Sequence, residues 1–426
     1  MHSPHHSDAS TPAESESNFV DTPATVNSVS LENLDELLRF PVESSYILVT
    51  GGLGFIGSHT TLELLKANYN VVVVDNLSNA FENVFDRITT LAHKYHNENG
   101  TKMPDLRLHA HDYRDTAALR PLLEEYRVQT RWNIPKSKIA GVIHFAAYKA
   151  VEESIKSPLK YYSNNVSGLI DFASILGEFG IKTFIFSSSA TVYGTLANSG
   201  LPLKEELCVH REEKYTNATG DIQTLQPGCT GITNPYGRTK WMCETILADL
   251  AASDPEWTVV ALRYFNPVGC DTSGLLGEDP RQIPTNLLPV VVKVMTGQYA
   301  ELQMFGSDWE TEDGTAVRDY IHVTDLACGH IAALNTAVEG KLIENFRTFN
   351  LGTGSGNSVL DVVNTMEAVI NKSIPRKAAD RRAGDVGSCV AVADRSREEL
   401  NWKTVKSLKN ACEDICNFLV VSGLST

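Results

Sequence analysis

Short apolar runs rich in β-branched and aromatic residues recur along the chain: Tyr46–Thr50, Val71–Asp75, Leu106–His109, Val142–Phe145, Phe184–Phe186 and Val259–Leu262. They are too short for helices and lack the in–out alternation of a half-wet sheet, so they predict strands buried on both faces. Stretches with helical patterning separate most of them: Gly57–Ala67, Thr116–Arg127, Tyr161–Phe179 and Tyr236–Ala252. Buried strands alternating with helices predict a doubly wound parallel sheet of the Rossmann type. Beyond Phe265 the pattern turns irregular and rich in Gly, Pro and Asn, as in a smaller mixed α/β lobe. The expected division is 45–266 for the sheet domain and 267–426 for the second lobe.

The 426 residues suffice for two lobes, and a formal charge of −15 disfavours nucleic acid or an anionic membrane as partner. No apolar run approaches the ~18–20 residues of a membrane span. Met1 to Leu38 holds seven acidic residues and no Lys or Arg among Ser, Thr, Pro and Ala. Such a segment buries too little apolar surface to order itself, so residues 1–44 are expected to be a disordered acidic tail. It carries no signal or transit pattern, and with eight scattered cysteines a reducing cytoplasm is the expected setting. No cysteine array suggests a metal, and His2, His5 and His6 alone do not make a metal site.

Gly51-Gly-Leu-Gly54-Phe-Ile-Gly57 follows the first strand and opens a helix. Glycines there let backbone approach a pyrophosphate while the helix N-terminus supplies N–H donors. A glycine run alone is compatible with an ordinary tight turn. Asp75, ending the second strand, adds an acceptor for adenosine ribose hydroxyls and repels a 2′-phosphate, which points to NAD rather than NADP.

Tyr236 and Lys240 stand one helical turn apart, behind Asn234 as a helix cap and Pro235 at the first helical position. A phenol is a poor base at neutral pH, but a nearby ammonium and a nicotinamide cation both favour its ionised form. Ser187-Ser-Ser189-Ala-Thr-Val-Tyr193-Gly194 follows the fifth strand and sets hydroxyls at its C-terminal edge, where open α/β sheets bind ligands.

With these residues in place, the chain from about Tyr46 to Trp402 resembles the UDP-glucose 4-epimerase family of extended short-chain dehydrogenases. The resemblance lies in Gly51–Thr60, Asp75–Leu77, Val142–Val151, Pro158–Val166, Phe184–Gly194, Pro235–Lys240 and Leu262–Gly269. It continues in Gly277–Pro280, Thr311–Thr315, Val317–His322, Asn350–Gly352 and Gly356–Asp361. The resemblance implies interconversion of UDP-galactose and UDP-glucose through a 4-keto sugar, with Tyr236 as base, Ser189 on the same oxygen and Lys240 supporting. It implies NAD contacts at Gly51, Gly54, Phe55, Ile56, Gly57, Asp75, Asn76, Ser78, Asn79, Asp112, Tyr113, Phe145, Lys149, Asn164, Ser189, Tyr236, Lys240 and Phe265. For the sugar nucleotide it implies Asn266, Asn286, Leu287, Gln303, Met304, Phe305, Arg318, Arg382 and Asp385, beside Ser189 and Tyr236. The arginines offer planar forks to a diphosphate. A homodimer through Tyr161–Phe179 and Tyr236–Ala252 is also implied.

Two departures qualify this expectation. The stretch from Cys208 to Thr233 is about twenty residues longer than the resemblance leads one to expect, and the simplest reading is an exposed insertion. Cys389 is small where some members of the family carry tyrosine, which leaves room for UDP-GlcNAc and UDP-GalNAc as further substrates. A 4,6-dehydratase needs an added acid/base pair where this chain has Ala190 and Thr191. A non-catalytic NAD or sugar sensor would have no need of Ser189, Tyr236 and Lys240.

Overall fold

Seven strands realise the alternation. β1 (Tyr46–Thr50), β2 (Asn70–Val74), β3 (Leu106–His109), β4 (Ile139–His144), β5 (Thr183–Ser189), β6 (Thr258–Tyr264) and β7 (Phe346–Leu351) form one sheet in the order 7-6-5-4-1-2-3. Every pair in it is parallel. This is the computed structural model of the chain, and it describes residues 45–130, 134–199, 202–216, 219–279, 281 and 283–424. The acidic tail expected over 1–44 lies outside the described residues.

Because strand side chains alternate, each strand feeds two cores. Ile47, Val49, Val71, Val73, Ile185 and Val260 enter one, under α1 (Phe55–Lys66), α2 (Asn83–Glu98) and the helix Val323–Val338. Leu48, Val72, Val142, Phe184 and Val259 enter the other, under α3 (Thr116–Glu125), α4 (Gly168–Glu178) and α5 (Pro235–Ser253). The chain proceeds from β1 to β3 in one direction and from β4 to β7 in the other. The crevice outside the β1 and β4 carboxyl ends is therefore the place for a ligand.

The structure differs from the sequence reading at three places. β7 and the helix Val323–Val338 come from beyond residue 266 and return to the sheet, β7 pairing with β6 from Phe346–Val259 to Leu351–Tyr264. One strand in an irregular stretch has no repeating neighbours to reveal it. The helix expected over Tyr161–Phe179 is broken into the turn Pro158–Tyr161, the π-helical turn Tyr162–Ser167 and α4. Asn165, buried in that π turn, bonds the backbone N–H of Tyr148 at 2.9 Å, its carbonyl at 3.0 Å and Thr239 Oγ1 at 3.0 Å. The segment after Cys208 contains an antiparallel hairpin, Glu213–Thr216 with Ile222–Leu225.

Residues beyond 266 build a further core of Leu288, Val291, Val362, Met366, Cys412 and Ile415. The small sheets here are mixed: Leu302–Phe305 lies parallel to Arg376–Ala379, while Val317–His322 pairs parallel with Asn266–Val268 and Ser388–Cys389 and antiparallel with Gly356–Ser358. All eight cysteines are free thiols. Among the described residues no helix is long and apolar enough to cross a membrane.

Candidate active site

β1 runs into Gly51, whose φ of +70° suits glycine. Its N–H donates to the Val74 carbonyl at 2.8 Å. A Cβ on Gly51 would lie 2.9 Å from the Ala146 nitrogen, and one on Gly57 would lie 2.1 Å from the Gly51 oxygen. The start of α1 is thus pressed flush against the turn, which only hydrogen side chains allow. Gly54 caps α1 without a side-chain bond, and the first turn holds no acidic residue. An uncapped helix start at the sheet's switch point suits an anion.

Asp75 is buried beside it and accepts the N–H of Leu53 at 3.0 Å and of Leu77 at 2.9 Å, one on each carboxylate oxygen. Burial raises its pKa and the two N–H bonds oppose that rise. Each oxygen keeps acceptor capacity for a hydroxyl. A glycine cradle, a free helix start and a fixed carboxylate together fit a dinucleotide without a 2′-phosphate.

The same cleft is lined by Phe55, Ile56, Asn76, Ser78, Asn79, Tyr113, Phe145, Lys149, Asn164, Tyr236 and Lys240, so most of the expected cofactor residues meet in one place. Three sit differently. Asp112 turns its carboxylate to Arg114, at 2.9 and 2.7 Å, and accepts from Asn76. Arg114 leads in drawing its pKa down to about 2. Phe265 is buried in a cluster with Ala190, Val192 and Tyr193, at the edge of the second lobe. Ser189 is buried at the end of β5, where its Oγ accepts the Thr191 N–H at 3.2 Å and the Thr191 hydroxyl at 3.0 Å. Those two bonds leave its own proton free for Tyr236.

Asn234 caps α5 as expected, its Oδ1 accepting the Gly237 N–H at 2.9 Å. Pro235 follows at the first helical position, and the Tyr236 N–H finds Ser154 Oγ at 3.2 Å. Tyr236 and Lys240 are both buried on the cleft side of this helix. Lys240 donates to the Ser187 carbonyl oxygen, and its Nζ lies 4.8 Å from the Phe186 ring centre and 5.9 Å from that of Tyr236. Burial pushes the Tyr236 phenol up to about 12, opposed by the nearby Ser189 hydroxyl. Burial brings the Lys240 ammonium down to about 8, opposed by Cys243 and Glu244. Of the two cations expected to favour the phenolate, Lys240 is committed to a carbonyl, and desolvation dominates at Tyr236.

Behind this pair lies a fully buried ion pair. Glu244, one turn after Lys240, accepts from Arg263 at 2.7 and 3.0 Å, from His210 at 2.7 Å and from the Ser188 hydroxyl. Burial would raise its pKa, yet Arg263 and His210 outweigh burial and hold the carboxyl well below its usual range. Removing one partner of such a pair is costly because the other is left uncompensated.

The expected sugar-nucleotide residues fall into groups. Asn286 lines the cleft and donates to Glu278 Oε1 at 3.3 Å; Lys149 reaches the same oxygen at 3.5 Å. Arg382 lies over the Phe305 ring at 4.7 Å and bonds Asp385 at 3.1 Å. The intervening Gly384 carbonyl accepts Thr233 Oγ1 at 3.1 Å, which ties this group to the approach to Tyr236. Arg318 and Cys389 are register partners on adjacent strands, and Cys389 packs with the Ala190–Tyr193 cluster behind Ser189. Asn266 opens the strand paired with Tyr320. Leu287 and Met304 pack against the second core, and Gln303 bonds Glu301 at the surface.

Sequence reasoning missed three residues that shape the site, and at Ser187 it read the hydroxyl but not the carbonyl. The Ser187 carbonyl receives Lys240, Tyr264 donates to the Ser187 hydroxyl and lines the cleft, Asn165 links Tyr148 to α5, and Glu244 anchors α5 to β6. The one available signal was Arg263 inside the apolar run of β6.

The sequence matches the NAD dependent epimerase/dehydratase family over residues 47–352. It is 44% identical over 371 residues to the UDP-glucose 4-epimerase of Mus musculus, covering 87% of this chain and 95% of that protein. It is also 44% identical over 376 residues to the bifunctional protein GAL10 of Pachysolen tannophilus, covering 88% of this chain but only 48% of that protein. The chain thus spans about half the length of that bifunctional relative. The crystal structure of the UDP-glucose 4-epimerase from Bifidobacterium longum in complex with NAD+ and UDP superposes with a TM-score of 0.74 at 38% identity, covering 90% of this chain and all of that one. Glycine cradle, fixed Asp75 and the Tyr236–Lys240 turn agree with that likeness, and the chain belongs to the NAD dependent epimerase/dehydratase family.

Proposed function

We propose that this chain is a UDP-glucose 4-epimerase, interconverting UDP-galactose and UDP-glucose through a 4-keto sugar. One observation carries the reading: Tyr236 and Lys240 line the same cleft as the glycine cradle and Asp75, with Ser189 at the end of the adjoining strand. Bound NAD would supply the hydride acceptor and donor for the sugar C4, and a positive charge that favours the Tyr236 phenolate. Gly51, Gly54, Gly57, Phe55 and Ile56 would hold its pyrophosphate, and Asp75 its adenosine ribose. Tyr236 takes the O4 proton as C4 is oxidised and returns it once the sugar has presented its other face. Ser189 holds O4 through a hydrogen bond. Arg318 and Arg382 hold the diphosphate and Asp385 the uridine ribose.

Purified protein given UDP-galactose and no added NAD should form UDP-glucose, since the cofactor must stay bound through each cycle. Release of a 4-keto-6-deoxy sugar would indicate a 4,6-dehydratase, and binding without turnover a sensor. Ala190 and Thr191 lack the acid/base pair for dehydration.

A wider substrate range rests on Cys389. Its small side chain stands beside Arg318 and packs with the cluster behind the Ser189 turn, where a tyrosine would be far bulkier, which favours UDP-GlcNAc and UDP-GalNAc as additional substrates. In this reading 45–266 serve mainly the cofactor and 267–426 the sugar nucleotide. Two copies pair through α4 and α5, where Ile170 and Met242 are exposed apolar side chains. Eight free thiols suit a reducing cytoplasm.

A further inference from the structure

The segment Cys208–Thr233 leaves the strand-edge turn and re-enters just before Tyr236, and its first residues grip α5 instead of lying on the surface. The Cys208 carbonyl accepts Arg263 Nη2 at 2.8 Å. The His210 side chain is 2% exposed, stacks on Trp241 with ring centres 3.9 Å apart, and donates from Nε2 to Glu244 Oε2 at 2.7 Å. Arg211 reaches the Ala248 carbonyl one turn further along. The far end is anchored as tightly: the Gly231 carbonyl accepts the Thr195 N–H at 2.9 Å, and a Cβ on Gly194 would lie 2.2 Å from that oxygen. A bond of 3.0 Å from the Gly228 N–H to the Val209 carbonyl closes the neck. Beyond the neck the hairpin is exposed, with Ile222 at 73%.

What His210 grips matters. Glu244 accepts four donors, which is about the full capacity of a carboxylate, so Arg263, His210 and Ser188 together fix its position. Ser188 stands between Ser187, whose carbonyl receives Lys240, and Ser189, whose hydroxyl is held by Thr191 at the end of the strand. A continuous chain of contacts thus runs from His210 through Glu244 and Ser188 to the strand edge, and through α5 to Tyr236 and Lys240.

We infer that Cys208–Thr233 is a brace for the catalytic groups, with His210 as a positioning residue that sets, through Glu244, the spacing between the Ser187–Ser189 edge and α5. The inference rests on the proposed epimerase activity. It assigns the function to the root of the segment and none to the exposed hairpin.

The test compares wild type with His210→Asn, His210→Gln, His210→Ala and Ile222→Ser, measuring kcat and KM for UDP-galactose and the NAD released on denaturation. Asparagine is too short to reach Glu244, whereas the glutamine amide can take the place of Nε2–H. His210→Asn and His210→Ala should lose about tenfold or more in kcat with KM and bound NAD near wild type, the size expected for a small misplacement of catalytic groups. His210→Gln should recover most of that loss, and Ile222→Ser should match wild type. If His210→Ala fails to fold, the Asn and Gln pair decides. Equal kcat in those two, or a loss confined to KM, overturns the brace while leaving the activity standing. A wild type without turnover overturns both readings.

Discussion

Lys240 points its ammonium at the Ser187 carbonyl and holds it 5.9 Å from the centre of the Tyr236 ring. The lysine therefore joins α5 to the β5 edge before it does anything to the phenol. Both groups are buried, and burial acts on them in opposite senses: it raises the tyrosine to about 12 and lowers the lysine to about 8.

The first consequence is a pH profile. An ammonium whose pKa is lowered to about 8 is present below that pH and is lost as pH rises through it. kcat for UDP-galactose, measured from about pH 6.5 to about 9.5, should fall along an alkaline limb centred near the lysine. Lys240→Arg, which stays protonated throughout, should have a lower plateau and no such limb. An unchanged limb in that variant would assign it to another group.

Gly57 is the tightest point of the cradle, since a Cβ there would lie 2.1 Å from the Gly51 oxygen. Gly57→Ala should push α1 away from the turn and abolish NAD retention. Absorbance of cofactor released on denaturation reads this directly, and stoichiometric NAD in the variant would refute the assignment of the cradle.

Glu244→Ala leaves Arg263 charged and buried. Loss of one partner of a buried pair costs about 3–5 kcal/mol, so the variant should unfold at markedly lower denaturant, with the cooperative transition kept. A midpoint equal to wild type would mean that Arg263 finds water or another acceptor.

Cys389→Tyr should lose turnover of UDP-GalNAc and UDP-GlcNAc and keep turnover of UDP-galactose. N-acetyl activity absent from wild type, or untouched in the active variant, would remove Cys389 as the determinant.

Much of this molecule was legible because its sheet is buried on both faces. Runs such as Val71–Val74 admit few alternatives, and all six strands read from them begin and end within about three residues of those observed. Asn234, Pro235, Tyr236 and Lys240 follow local capping rules and lie where those rules put them. β7 was not legible, because Phe346–Leu351 acquires its identity only by pairing with β6, far away in sequence. The Glu244–Arg263–His210 cluster was hidden for a related reason. Three charged or polar residues 19 to 53 positions apart look like surface until tertiary packing buries them. The burial that raises the tyrosine's pKa was not legible, because sequence shows which charge is near but not how much water has been removed.

The central claim is that Tyr236 moves the O4 proton. The most direct measurement is turnover of UDP-galactose by Tyr236→Phe alongside quantitation of its bound NAD. The substitution removes one hydroxyl from a buried ring. NAD content should equal wild type, while kcat should fall by roughly 10²–10⁴-fold, the usual contribution of a positioned acid/base. Near-normal turnover in a variant that retains its NAD would contradict the account.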